Sequence, residues 1–204
     1  MKKHIAIAIS VIFHPMLMPL LGFFLIFNAG THISFVPPDF RRVVYVIAFA
    51  SACVLPLSIL PVLLQFKLIN SFKMESHRER IFPVLITGVF YFLGYILLRR
   101  FNLPLFLYQF MLGSLVALYA ALVITFWWKI SLHLVGIGGV TGAIIALSLK
   151  MGLGVTPALA ALFCVAGLIA SARLYLDAHT PKQTLAGYLL GLFVVMAIPF
   201  FQII

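Results

Sequence analysis

Ser171-Ala-Arg173-Leu-Tyr-Leu-Asp177-Ala-His179-Thr-Pro181-Lys-Gln183-Thr-Leu-Ala-Gly187 is a polar hinge that joins two apolar stretches, 156–176 and 184–204. Each stretch has the roughly 17 to 25 residues that a bilayer core demands. Both are too long and too poor in charge to be soluble helices. An Arg and a His at the mouth of a membrane bundle are costly to keep there, so the hinge is a candidate site as well as the key to the fold. Composition agrees: of 204 residues, 64% are hydrophobic and 9% charged, whereas a soluble domain carries roughly 25% charged residues. The chain is read as all-α, a polytopic transmembrane helix bundle of about six or seven spans, with 1–204 forming a single domain.

Outward from the hinge, further apolar stretches lie at 5–27, 43–66, 83–98, 104–127 and 131–149. The first follows Met1-Lys2-Lys3-His4 and has no A-x-A cleavage site after it, so it is expected to be a retained span. His14-Pro15 and Pro19 interrupt it; His14 has two readings, a residue lining the site or, preferred, a buried histidine bonded to a backbone carbonyl. Pro37-Pro38-Asp39 and Arg41-Arg42 are expected to form a turn followed by interfacial anchors. Pro56 and Pro61 predict kinks in the second span. Gly138 and Gly142, and again Gly187 and Gly191, form G-x-x-x-G faces suited to close helix packing. Trp127 and Trp128 beside Lys129 read as an interfacial belt. Cys53 and Cys164 sit inside apolar runs and are expected simply to pack.

The formal net charge of +10 does not imply a nucleic-acid partner, because the Lys and Arg residues are dispersed over short loops without interleaved aromatics. Phosphate head groups are the expected partners. The most charged stretch, 67–82, holds Lys67, Lys73, Arg78 and Arg80 with Glu75 and Glu79. It reads either as a solvated amphipathic loop with internal ion pairs or as part of a site. Two spans separate it from His133, and two more separate His133 from His179. All three clusters therefore face one side. The excess of cations on that side disappears once the candidate phosphate ligands are set aside, so charge alone does not orient the chain.

Each cluster has a chemical role available. Ser131 and His133 fall in the first turn of a span, where unpaired N–H groups favour an anion. The Arg173 guanidinium fork suits phosphate oxygens. Two imidazoles among several cations support phosphoryl transfer: one attacks phosphorus, the other protonates the leaving oxygen, and the cations stabilise the charge. Neither histidine stands in an H-E-x-x-H or C-x-x-C setting and acids are few, so no metal and no cofactor is expected.

The hinge resembles the third motif of the type 2 phosphatidic acid phosphatase superfamily, which runs Ser-Arg, five residues, His, three residues, Asp. Arg173 and His179 match in spacing, Ser171 is displaced by Ala172, and Gln183 stands where the family has its Asp. Lys129-Ile-Ser131-Leu-His133 resembles the second motif, Pro-Ser-Gly-His, keeping its Ser and His. Lys73 and Arg80, six residues apart in between, resemble the first, with Arg78 and Lys129 as alternatives. The resemblance implies a multi-pass protein of the bacterial inner membrane that hydrolyses a lipid phosphate or diphosphate. It implies His179 as nucleophile, His133 as general acid, and Lys73, Arg80, Ser131 and Arg173 as phosphate ligands. Gln183 has two readings. It completes a capping box with Thr180 and Pro181, or it accepts a hydrogen bond from His179 without bringing the charge of an Asp. A non-catalytic lipid-phosphate binder is the alternative function. Asp177 is expected to be a solvated interfacial carboxylate.

Overall fold

The computed structural model describes residues 2–70 and 78–201; Lys73 and Glu75 lie outside the described residues. The described chain is helical throughout, with no strand: α1 (Lys3–Ile12), α2 (Met18–Phe27), α3 (Pro38–Phe49), α4 (Leu55–Gln65), α5 (Ile81–Arg99), α6 (Leu105–Thr125), α7 (Leu132–Met151), α8 (Thr156–Tyr175) and α9 (Pro181–Phe200). Taken together, α1 with α2, α3 with α4, and each of the last five make seven segments long and apolar enough to cross a membrane. The chain is thus a multi-pass all-α bundle.

The first span is broken where Pro15 requires it. A residue before proline is driven out of the α region, and His14 is extended at φ −62° and ψ 139°. A short 3₁₀ turn, Pro15–Leu17, then leads into α2. At the break the His14 N–H turns to the Val11 carbonyl at 3.2 Å, while the Phe13 N–H goes to Ile9 at 3.0 Å. The Ser10 carbonyl is left without a helical donor and open to a side chain from elsewhere.

The second span differs from the expected form. Pro38 occupies the first helical position instead of a turn, a placement that loses no hydrogen bond because that N–H has no helical acceptor. Arg41 and Arg42 lie inside α3. Arg41 Nε donates to the Val36 carbonyl at 2.8 Å, and Arg42 pairs with Asp39 at 3.2 Å. The distortion linked to Pro56 falls upstream of it, as a π-helical turn at Ala50–Val54, because the missing Pro56 N–H removes the donor that Ala52 would have used.

The closest packing joins α7 to α9. Both begin at the same face, since only α8 crosses between them, so they run parallel. A methyl group on Gly138 or Gly142 would collide with the carbonyls of Tyr188 or Leu192, and one on Gly187 or Gly191 would meet those of Ser131 or Val135. The two G-x-x-x-G faces are therefore each other's partners, and backbone touches backbone. The Ser131 N–H donates to the Gln183 carbonyl at 3.4 Å across the start of this seam. The first turn of α7, with His133, is thereby held beside the residues that lead into α9, with His179. Gly136 extends the same logic to the first span: a side chain there would strike Met18 and approach Pro15, so its absence lets the His14 break lie against α7.

Candidate functional site

The hinge is shaped by its own residues. After α8, Asp177 adopts φ 49°, a left-handed conformation that Asp tolerates better than most residues. Its N–H returns to the Leu174 carbonyl at 3.0 Å, and that of Ala178 to Arg173 at 3.1 Å. Thr180 then caps α9 with Pro181 at the first helical position. The Gln183 N–H donates to Thr180 Oγ1 at 3.4 Å, and the Thr180 N–H donates to Gln183 Oε1 at 3.1 Å.

That same Oε1 lies 3.3 Å from His179 Nδ1, and the Lys129 carbonyl oxygen is also 3.3 Å from Nδ1. The Thr180 donor orients the Gln183 amide with its oxygen toward the histidine. Two acceptors on Nδ1 require that nitrogen to carry the proton, which leaves the lone pair on Nε2. Burial lowers the His179 pKa to about 4; the positive Arg173, Arg80 and Lys129 act in the same direction, and the Gln183 hydrogen bond opposes them. The ring is therefore neutral at pH 7, with Nε2 available as a nucleophile. Gln183 is both cap and orienting group, so its two readings hold together.

His133 turns toward the first span. Its Nε2 is 3.1 Å from the Ser10 carbonyl, the group exposed by the break, so Nε2 carries a proton and Nδ1 the lone pair. Arg173 Nη1 donates to Ser10 Oγ at 3.3 Å, and that hydroxyl donates to the Ala6 carbonyl at 2.9 Å. Arg173 Nε is buried without a partner among the described residues. The rings of His14 and His133 meet edge to face, with centroids 5.5 Å apart. His14 Nδ1 accepts from the Met16 N–H at 3.4 Å.

These groups line one cavity of about 290 Å³. His14, Arg80, His133, Arg173 and His179 contribute to it, and its apolar walls include Met18, Val84, Tyr91, Phe110, Val140 and Val195. Among the described residues no carboxylate lines it. Burial also lowers the Arg80 pKa, but a guanidinium stays charged. Like charges beside a buried imidazole destabilise the empty site, and an anion between them relieves that repulsion. Among the described residues no group of three or more His, Cys, Asp or Glu is arranged to hold a metal ion.

No family model, no curated protein and no solved structure matches the chain. The site thus rests on its own geometry.

Of the residues singled out from the sequence, His179, His133, Arg173 and Arg80 come together on the cavity, and Gln183 acts on it through His179. Ser131 does not line it: the residue is fully buried and its hydroxyl has no partner among the described residues. Lys129 contributes a carbonyl to His179. Asp177 also stands away from the cavity, bordering a surface hollow with Lys3 and Tyr175. Sequence reasoning missed Ser10, which carried no signal. For His14 both a place on the site and a bond to a backbone carbonyl were open, and the structure gives it the first. That carbonyl bond belongs to His133 instead, because the break releases an acceptor on the side that faces α7.

Proposed function

We propose that this chain is a metal-independent phosphatase of a membrane lipid phosphate or diphosphate, working through a phosphohistidine at His179. The observation that carries the reading is the cavity itself. A neutral imidazole with a free Nε2 stands at a wall shared with two guanidinium groups and, among the described residues, no carboxylate, and the space continues between apolar helices. An anionic head group with a hydrocarbon tail matches both ends. A bacterial inner membrane is the setting proposed for it.

In the first step His179 Nε2 attacks phosphorus, the P–N bond forms and the bond to the leaving oxygen breaks. The phosphate monoanion brings in a proton, which passes through His133 Nδ1 to that oxygen, while the His133 Nε2–H stays on the Ser10 carbonyl. Arg80 and Arg173 balance the charge on the remaining phosphoryl oxygens. In the second step water attacks phosphorus, His133 Nδ1 takes the proton, the P–N bond breaks and phosphate leaves. The sum is lipid phosphate plus water giving lipid alcohol plus phosphate, or lipid monophosphate plus phosphate from a diphosphate. Through both steps the His179 Nδ1–H rests between two neutral acceptors, Lys129 O and Gln183 Oε1.

Those neutral acceptors favour a second reading, a lipid-phosphate binder without turnover, because a charged partner would stabilise the phosphoimidazolium better. Purified protein offered a panel of phosphatidate and polyprenyl phosphates separates the two. The phosphatase is expected to release phosphate, and His179→Ala to abolish release while leaving the melting temperature and lipid-phosphate binding in place. Binding without release from any substrate overturns the phosphatase in favour of the binder; full turnover by His179→Ala removes the phosphohistidine.

A further inference from the structure

Resting on a phosphate-binding reading of this cavity, we propose that His14 is a phosphate ligand, a neutral hydrogen-bond donor delivered to the cavity by the first span. The argument begins with the protons. The Met16 N–H is a donor, so His14 Nδ1, which accepts it at 3.4 Å, holds a lone pair, and Nε2 carries the hydrogen. His14 lines the cavity, and among the described residues no hydrogen bond occupies its Nε2. A lone N–H on the wall of a partly enclosed cavity is open to an acceptor that enters it.

Chemistry narrows the acceptor. Arg173 shares the wall with His14 and His133, so the incoming group meets cationic and neutral donors together. A phosphoryl group has three equatorial oxygens to distribute among Arg80, Arg173 and His14. The division of labour with His133 follows from the Ser10 carbonyl, which holds His133 Nε2–H at 3.1 Å. His133 is thereby committed to proton transfer at Nδ1, while His14, with Nδ1 committed to the backbone, is suited to donating a hydrogen bond and not to releasing a proton. A neutral imidazole in this role has the further advantage of adding no third full charge to the empty site.

The backbone role of His14 can be separated from its cavity role by side-chain length. His14→Asn keeps a side-chain oxygen that can accept the Met16 N–H, as Asn does well at helix starts, but it is too short to offer a donor in the cavity. His14→Gln places an amide N–H near the position of Nε2. The measurements are calorimetric affinity of the purified full-length protein for inorganic phosphate, with sulfate as a control anion, and phosphate release from a lipid phosphate.

His14→Asn is expected to melt as the wild type does while losing about ten- to a hundredfold in phosphate affinity, the worth of a hydrogen bond to a charged group. Turnover should fall at least as much, and His14→Gln should recover a large part of both. Unchanged affinity and turnover in His14→Asn overturn the proposal and leave the phosphatase reading intact. Phosphate binding that depends on His14 in a protein that releases no phosphate supports the proposal and removes the phosphatase reading. A wild-type protein that binds no phosphate overturns both.

Discussion

Where α7 meets α9, four glycines remove every side chain that would hold two backbones apart; where α1 gives way to α2, a proline pulls one backbone open and releases the Ser10 carbonyl. Both devices bring polar groups to the same cavity. The seam does so by rigidity: the window of α7 that crosses the membrane is 67% buried, against 22% for α8, and a parallel pair in backbone contact has almost no freedom to slide. The break does so by leaving an acceptor unsatisfied, so that His133 turns toward the Ser10 carbonyl, while Arg173 meets the Ser10 hydroxyl. A tight contact fixes where the helix starts lie, and an open contact decides which way their side chains point.

Breaking the seam should have the largest effect. Gly191→Leu would drive a side chain into the Val135 carbonyl and the Gly139 N–H, and α7 and α9 could not both keep their places. Loss of the folded protein from detergent extracts is expected. Gly191→Ala, the milder form, should cost about 1–3 kcal/mol, the usual range for overpacking, read as a lowered melting temperature. A Gly191→Leu protein of normal stability would mean that the seam is not what positions the histidines.

Closing the break should act on chemistry more than on stability. Pro15→Ala restores an N–H and removes the restriction on His14, so the helix can continue and the His14 N–H can reclaim the Ser10 carbonyl. His133 would then lose its acceptor and His14 its place on the cavity. A fall in turnover of at least about tenfold is expected, with a melting temperature equal to or above that of the wild type. Lowered stability with turnover unchanged would show the break to be a packing feature alone.

The smallest change sharpens the comparison at the hinge. Gln183→Asp places a carboxylate beside His179 Nδ1, where it can stabilise the phosphoimidazolium, at the third position of α9, where negative charge also suits the helix dipole. The shorter side chain should weaken the Thr180 capping box by about 1 kcal/mol at most. Turnover should rise by about an order of magnitude, which requires about 1.4 kcal/mol of added transition-state stabilisation. Weaker lipid-phosphate binding with no turnover would instead support the binder.

The elements that could be read in advance were local or periodic. Apolar length marked the spans, Thr180-Pro181-Lys182-Gln183 marked the start of α9, and the even number of crossings put Arg80, His133 and His179 on one side. The G-x-x-x-G pairs announced close packing without naming their partners. What failed was direction. Ser131 and His133 are two residues apart at the same helix start, yet the hydroxyl is buried and the imidazole faces the cavity. Asp177, two residues before His179, is by contrast exposed, as expected of a solvated carboxylate.

By itself, then, the sequence determined a multi-pass helical bundle with a basic, histidine-bearing end, because burial in a bilayer and proline or capping chemistry act through neighbours along the chain. Only the tertiary structure decided that His14 and Ser10 join His133, Arg80, Arg173 and His179, and that Gln183 serves both the cap and the imidazole. The physical reason is that a hydrogen bond depends on where an acceptor is left free and which way a side chain points. Both were settled here by one proline and four glycines, acting between helices far apart in the chain.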